Sequence, residues 1–229
     1  GSRADVANYL KILAGQGFTT VAVGYSLAPG ANYPRPIQQL NAALGYLQGN
    51  AARLHVDGSR IFLAGDSAGA QIAGQMSNVI TSPGYAAETG IIPSIDRSVL
   101  RGAILFCGPH GTAGINFDGP FGGFLSTVLW AYLGTRDFRA DPRLQQFSVS
   151  ANMTKDFPPF FVSAGNADPL APLSYELKEK AELLAVPVDA LFFAADHQPP
   201  LAHEYQFDLD STAGQQAFAR IVAFLKATP

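Results

Sequence analysis

The sequence predicts an α/β fold in which a mostly parallel sheet is covered by helices on both faces. Short apolar, β-branched runs alternate along the chain with longer segments whose apolar residues recur at helical spacing. Neighbouring parallel strands need a long connection between them, which helices of this length supply. With 229 residues, of which 48% are hydrophobic and 14% charged, the chain suits a single domain over residues 1–229.

Five strands and four main helices follow from these patterns. The predicted strands cover residues 19–25, 60–64, 99–106, 159–163 and 188–193. The predicted helices cover residues 36–48, 68–80, 174–185 and 212–226. Near the beginning of the chain, Val6, Leu10 and Leu13 also recur at helical spacing.

Two segments interrupt this alternation. Residues 81–98 are rich in Pro, Gly and Ser and are predicted to form an exposed insertion. Residues 108–156 are far longer than an ordinary connection. Ligands bind at the carboxyl edge of parallel sheets, so we interpret 108–156 as a lid or cap insertion over a pocket. The alternative is a helical excursion that completes the core. The segment carries an aromatic patch made of Phe117, Phe121, Phe124, Trp130 and Tyr132.

Charge and cysteine content exclude several classes of function. The net charge is −3 and Lys and Arg form no dense cluster, so nucleic acid is not an expected partner. A single cysteine, Cys107, excludes an internal disulfide and a multi-thiolate zinc site, and burial at a strand end is favoured over a reactive thiol. The histidines lack metal-ligand spacing, so no metal or organic cofactor is expected. No apolar run is long enough to span a membrane.

Ser67 is the candidate nucleophile. It stands in the run Gly65-Asp66-Ser67-Ala68-Gly69, between a predicted strand and a predicted helix. A tight turn between a strand and a helix raises a serine hydroxyl above the end of a sheet, and the flanking glycines avoid side-chain clashes. A small-residue turn that only packs a strand on a helix is the structural alternative.

Serine needs a base to take its proton, and the base needs an acid to orient it. Asp168 lies in the turn after the predicted strand 159–163, at the position where such an acid is expected. Two histidines after the last strand, His197 and His203, are candidates for the base. His55 and His110 precede the acid and are expected to be surface or loop residues.

These motifs resemble those of the bacterial hormone-sensitive-lipase-like (GDSAG) esterases of the α/β-hydrolase superfamily. Residues 65–70 are similar to the family's nucleophile motif, 166–170 to its acid motif and 203–207 to its histidine segment. Residues 25–34, with the helix after them, resemble the family's preceding strand and helix, so the likeness runs from 21 to 225. It implies an α/β-hydrolase fold, a triad of Ser67, Asp168 and His203, and the N–H of Ala68 as an oxyanion donor.

Two arguments from spacing point to different histidines as the base. Spacing to the last helix favours His203, as in the family, whereas spacing from Asp168 favours His197. We choose His203, keep His197 as the alternative base, and interpret residues 196–200 as an inserted loop.

One departure from the family concerns the oxyanion hole. The family's His-Gly-Gly run does not occur in this sequence, and the first strands of the family's sheet are missing with it. An oxyanion needs two or three N–H donors, and each lost donor costs about 3–4 kcal/mol. We therefore expect these residues to be the C-terminal part of a longer enzyme, weakly active or inactive alone.

The resemblance implies a serine carboxylesterase that hydrolyses short- to medium-chain acyl esters. The alternatives are an amidase or sugar deacetylase with the same triad, or a non-catalytic small-molecule binding protein on this scaffold. The expected partner is a small-molecule ester. Pairing through the edge strand 188–193 is one route to a homodimer. The cytoplasm is the default compartment, and a signal preceding these residues would change it.

Overall fold

A four-stranded parallel sheet forms the centre of the protein. The computed structural model describes residues 2–119 and 121–228, and within these ranges the strands follow one another in chain order across the sheet. The strands are β1 (Ile61–Asp66), β2 (Leu100–Phe106), β3 (Phe160–Ala164) and β4 (Val188–Phe192). Four of the five predicted strands are thus confirmed to within two residues.

Helices connect the strands and cover both faces of the sheet. None of the helices in the described ranges combines the length and apolarity needed to cross a membrane. The predicted helix 174–185 begins three residues earlier than expected, and the other three match closely. The helices are α1 (Ala7–Ala14), α2 (Arg35–Gly49), α3 (Ala51–Leu54), α4 (Ala68–Thr81), α5 (Pro83–Thr89), α6 (Gly122–Leu133), α7 (Arg143–Phe147), α8 (Val149–Asn152), α9 (Ala171–Leu183) and α10 (Thr212–Ala227).

Successive residues of the central strands pack alternately into two separate hydrophobic cores. Leu105 of β2 and Phe160 of β3 belong to the larger core, together with Met76 of α4. Ile104 and Phe161, one position along each strand, belong to the second core, packed by α1 and α10. The opposite orientation of successive side chains in a strand produces this division. Burial of each large apolar side chain contributes about 1.5–3 kcal/mol, so both layers hold the sheet in place.

The register brings the carboxyl ends of the strands to one edge. Asp66 pairs with Phe106, and Ser163 pairs with both Phe106 and Leu191. The loops that leave β1, β3 and β4 therefore begin side by side. They carry Ser67, Asp168 and His203 respectively, so the topology positions all three candidate residues at the same edge.

The predicted strand 19–25 is wrong, because these residues run as irregular chain outside the sheet. A strand forms only where a neighbour satisfies its backbone N–H and C=O groups, and among the described residues none does so here. Val21 is 49% exposed, although an apolar run of this kind is ordinarily buried in a parallel sheet. β1 is consequently an edge strand, as is β4, which was predicted at an edge.

The segment 81–98 is not simply an exposed insertion. It forms α5 and buries Tyr85, Ile91 and Ile95 in the larger core. The side chain of Ile92, in the same segment, is exposed. Its Pro and Ser residues begin the helix: Ser82 accepts a hydrogen bond from the N–H of Tyr85, and Pro83 is the first helical residue. Residues typical of loops here serve as a helix cap.

Part of the segment 108–156 completes the core, as the second alternative left by the sequence predicted. α6 buries Leu129 and Leu133 in the larger core, whereas Phe124 and Trp130 are exposed. Backbone carbonyls of residues 146, 147 and 149 accept hydrogen bonds from side-chain amides of α4, and these bonds attach the segment to α4. A lid role for the exposed face stays a prediction.

Candidate active site

Ser67 occupies a strained turn at the end of β1. Its φ of 50° and ψ of −120° are unusual for a residue with a side chain. Its N–H donates to the carbonyl of Phe106, which keeps the turn against β2. A β-carbon on Gly65 would lie 2.2 Å from the backbone of Gly69, so only glycine fits at position 65. At Gly69 an added β-carbon would meet Asp66 Oδ1 at 3.9 Å, so the steric demand falls on Gly65.

The N-terminus of α4 lies directly behind Ser67. Ala68 is the first residue of this helix and is exposed. The first N–H groups of a helix have no acceptor within the helix, and the helix dipole adds positive potential there. The N–H of Ala68 is therefore placed to donate to a developing negative charge next to Ser67.

Asp168 is buried at the end of β3 and makes two directed contacts. Its side chain is 0% exposed. Oδ1 accepts from the N–H of Leu170 at 2.8 Å, and Oδ2 lies 2.9 Å from Nδ1 of His203. The first contact fixes the rotation of the carboxylate, so that the second oxygen points to the imidazole.

The structure brings His203, and not His197, to the acid. The ring of His197 packs on Phe193, with the ring centres 4.7 Å apart, and its carbonyl accepts a hydrogen bond from Asn166. Residues 196–200 form a loop without helix or strand, as predicted. Spacing to the last helix was thus the better guide to which histidine meets Asp168.

The surroundings of His203 favour its protonated form. The hydrogen bond with Asp168, followed by the contact with Cys107, raises the pKa of His203 above its usual 6.5. Cys107 is fully buried, as predicted, and burial raises the pKa of its thiol. The donor atoms of Cys107, Asp168 and His203 lie within 4.8 Å of one another. These atom types suit zinc, but a metal there would displace the thiol proton and the bond between Asp168 and His203.

Four residues missed by the sequence analysis hold the histidine loop. Asn166 accepts from the N–H of Leu201 at 2.8 Å. Gln206, which is fully buried, donates to the carbonyl of Ser163, and the hydroxyls of Ser163 and Tyr205 lie 2.6 Å apart. The sequence signals of these contacts were the polar Ser163 inside an apolar strand and the place of Asn166, Tyr205 and Gln206 within the two family motifs.

We expect His110 to be a surface or loop residue, and the expectation of a surface position is wrong. His110 follows β2 but is 0% exposed, and neither ring nitrogen has a hydrogen-bond partner among the described residues. Burial lowers the pKa of His110 to about 3, so the ring is neutral at ordinary pH. The N–H of Ser150 donates a hydrogen bond to the backbone carbonyl of His110, which connects this residue to α8. His55 is exposed, as expected.

His203 and Ser67 are not joined by a hydrogen bond in the described part of the chain. Instead, Nε2 of His203 lies 3.7 Å from Oε1 of Glu204. Hydrogen bonds between a base and its nucleophile are often long before substrate binds. Ser67, Asp168 and His203 thus share one sheet edge, and the side chains of Asp168 and His203 are already paired.

A family model described as alpha/beta hydrolase fold matches residues 4–197 of this chain. Among curated relatives, a protein named acetyl esterase from Salmonella paratyphi B is 29% identical over 165 residues, which cover 67% of this chain and 46% of the relative. The acetyl esterase from Salmonella typhi is 28% identical over the same length. The chain therefore spans about half the length of the curated relatives that it matches.

Solved structures show the same fold. An inhibited esterase B from Lactobacillus rhamnosis superposes with a TM-score of 0.83 at 20% identity, covering 97% of this chain and 71% of that one. An esterase from Pyrobaculum calidifontis gives a TM-score of 0.74 at 21% identity, covering 99% and 72%. At this level of identity the likeness concerns the fold alone.

Proposed function

The chain belongs to the α/β-hydrolase family, as its likeness to the hormone-sensitive-lipase-like esterases implied, and from this premise we propose that it carries a serine carboxylesterase site. Ser67 is the nucleophile, His203 the base and Asp168 the acid that orients it. One observation carries the proposal: Asp168 pairs with His203 at 2.9 Å on the sheet edge where the strained turn presents Ser67.

The proposed reaction has two halves. His203 Nε2 takes the proton of Ser67 Oγ while that oxygen bonds to the ester carbonyl carbon. The tetrahedral intermediate collapses, and the same nitrogen returns the proton to the departing alcohol oxygen. Water then attacks the acyl-enzyme, with its proton passing through His203 to Ser67. The buried carboxylate of Asp168 stabilises the imidazolium in both halves, in keeping with the raised pKa of His203.

The N–H of Ala68 is the proposed donor to the tetrahedral oxyanion. A second donor would strengthen the site considerably, since each one contributes about 100- to 1,000-fold in rate. The test of function therefore uses a readout that also works with a slow enzyme.

The substrate class that we propose is short- to medium-chain acyl esters, with acetate at the short end. Support comes from the relatives named acetyl esterase, which match most of this chain. The exposed aromatic residues of α6, Phe124 and Trp130, are candidates to contact an apolar acyl chain or alcohol. An amidase or a sugar deacetylase would use the same three residues and differ only in the leaving group.

Two measurements test the proposal. Hydrolysis of p-nitrophenyl acetate, butyrate, octanoate and palmitate is compared between the natural chain, Ser67→Ala and the control Ser94→Ala, which changes an exposed serine. Reaction with a fluorophosphonate, located by peptide mass spectrometry, reports an activated serine directly.

We expect hydrolysis of the short esters and labelling at Ser67, both lost in Ser67→Ala and kept in the control. The loss of rate should reach about 10³-fold or more. Unchanged hydrolysis in Ser67→Ala would remove Ser67 from the mechanism. A folded protein without hydrolysis or labelling would favour the non-catalytic binding protein.

A further inference from the structure

Glu204 places a carboxylate beside the reactive nitrogen of His203. It follows His203 in the chain and adopts the left-handed conformation, with φ of 64°. Only a few per cent of residues other than glycine do so, because the β-carbon is crowded in this conformation. Its Oε1 lies 3.7 Å from Nε2, the nitrogen that does not bond to Asp168. The left-handed turn thus presents the Glu204 side chain on the side of the ring that carries Nε2.

Asp66 adds a second carboxyl group at the same place. It directly precedes Ser67 and contacts the side chain of Glu204. Burial, and then this contact, raise the pKa of Glu204, as expected for two acidic groups that share a small volume. The pair carries net negative charge when at least one of its members is ionised.

The proposed reaction decides which part of a substrate meets this charge. Nε2 must hand its proton to the departing alcohol oxygen, which requires a separation of about 3 Å. The alcohol portion of the ester therefore lies against Nε2, where the Glu204 carboxylate also lies. The acyl portion is held on the other side of the scissile bond, next to Ser67 and Ala68.

We propose that Glu204, backed by Asp66, gives this site a preference for esters whose alcohol portion carries a positive charge. This inference rests on the proposed function, because it needs His203 to protonate the leaving alcohol. A cationic alcohol meets a complementary charge a few ångströms from the reacting oxygen, whereas an anionic alcohol meets a like charge.

The expected size of the preference is modest. The Glu204 side chain is 41% exposed, so water and salt screen its charge. One unit charge at a few ångströms near a protein surface then changes kcat/KM by about three- to tenfold. The effect should weaken as the ionic strength rises, which an effect of shape would not do.

The test uses a matched pair of esters. Acetylcholine is compared with its uncharged analogue, in which a carbon atom replaces the ammonium nitrogen, and acetoxyacetate serves as an anionic ester. The kcat/KM values are measured for the natural chain, Glu204→Gln and the control Glu179→Gln, which removes an exposed carboxylate of α9. Each measurement is repeated at NaCl concentrations from about 0.02 to 0.5 M.

We expect the ratio of kcat/KM for the cationic ester to kcat/KM for the neutral ester to fall about three- to tenfold in Glu204→Gln. Hydrolysis of acetoxyacetate should improve in the same variant, and Glu179→Gln should behave as the natural chain. An equal ratio in the natural chain and Glu204→Gln overturns the inference. If that variant does not fold, a ratio in the natural chain that NaCl does not lower overturns it equally.

Failure of the inference is distinguishable from failure of the proposed function. Ser67-dependent hydrolysis of the neutral ester without a charge preference refutes the role of Glu204 alone. Absence of Ser67-dependent hydrolysis of every ester refutes both.

Discussion

The carbonyl oxygen of Leu201 lies so close to Gly165 that a β-carbon on this glycine would be 2.1 Å from it. Gly165 directly follows β3, and Leu201 begins the segment that carries His203. The close approach lets the N–H of Ala167 donate to the same carbonyl at 2.9 Å. The acid turn and the histidine loop are thus in direct backbone contact, which fixes the distance between Asp168 and His203.

Replacing Gly165 by Ala should therefore displace the histidine loop. We expect a loss of about 1–3 kcal/mol in the free energy of unfolding from the overpacking. Ester hydrolysis should fall about 100-fold, because a shift of an ångström between catalytic groups has that effect. Denaturant unfolding and kcat measure the two effects. Gly123→Ala is the control, since nothing lies within 4 Å of an added β-carbon there; equal behaviour of the two variants would argue against the contact.

Replacing Asp168 by Asn should lower kcat/KM about 10³- to 10⁴-fold, because the imidazole loses its orientation and its charge partner. In the natural chain the base must be neutral to act and its pKa is raised. Activity should therefore rise with pH, with its midpoint above 6.5. In Asp168→Asn that midpoint should move down. A pH series of kcat/KM and NMR titration of the His203 ring measure the shift, with the exposed Asp210→Asn as control. If the pH midpoint of activity did not move in Asp168→Asn, Asp168 would not control the protonation of His203.

His110 should make the protein sensitive to acid. Its pKa is about 3 in the folded state and about 6.5 when exposed, so between these values the unfolded chain binds the extra proton. Stability should fall by about 1.4 kcal/mol for each pH unit below 6.5. Replacement by Leu should remove this slope and also eliminate the two buried ring nitrogens, which have no hydrogen-bond partner within residues 2–119 and 121–228. Urea unfolding at pH 5 and pH 8, compared with the exposed His55→Gln, checks this; an unchanged slope would contradict it.

Gln75 should anchor the segment 108–156 to the nucleophile helix. This buried amide lies within hydrogen-bond distance of the hydroxyls of Tyr33 and Tyr85 and of the carbonyl of Gln146. Gln75→Leu leaves those buried groups with fewer partners, so we expect a loss of about 2–4 kcal/mol. Hydrogen exchange should become faster in α7. The exposed Gln48→Leu is the control, and equal exchange in both variants would show that packing alone holds the segment.

Local patterns predicted the central sheet well. The strands β1 to β4 and the helices α2, α4, α9 and α10 each display their periodicity within a dozen residues, which is why spacing was sufficient to find them. The segment 19–25 displays the same apolar pattern and forms no strand. A run of apolar residues indicates only that a strand is possible. A strand forms only where an adjacent strand satisfies the hydrogen bonds of its backbone.

The sequence by itself determined the turn at Ser67, the candidate acid Asp168 and the order in which the proposed nucleophile, acid and base occur. Those features depend on residues adjacent in the chain. Only the tertiary structure decided that His203 meets Asp168, that His110 is buried and that Glu204 lies beside Nε2. These outcomes depend on contacts such as that of Gly165 with Leu201, between segments far apart in the chain. Their geometry depends on how the loops pack at the sheet edge, and a short sequence pattern cannot predict that packing.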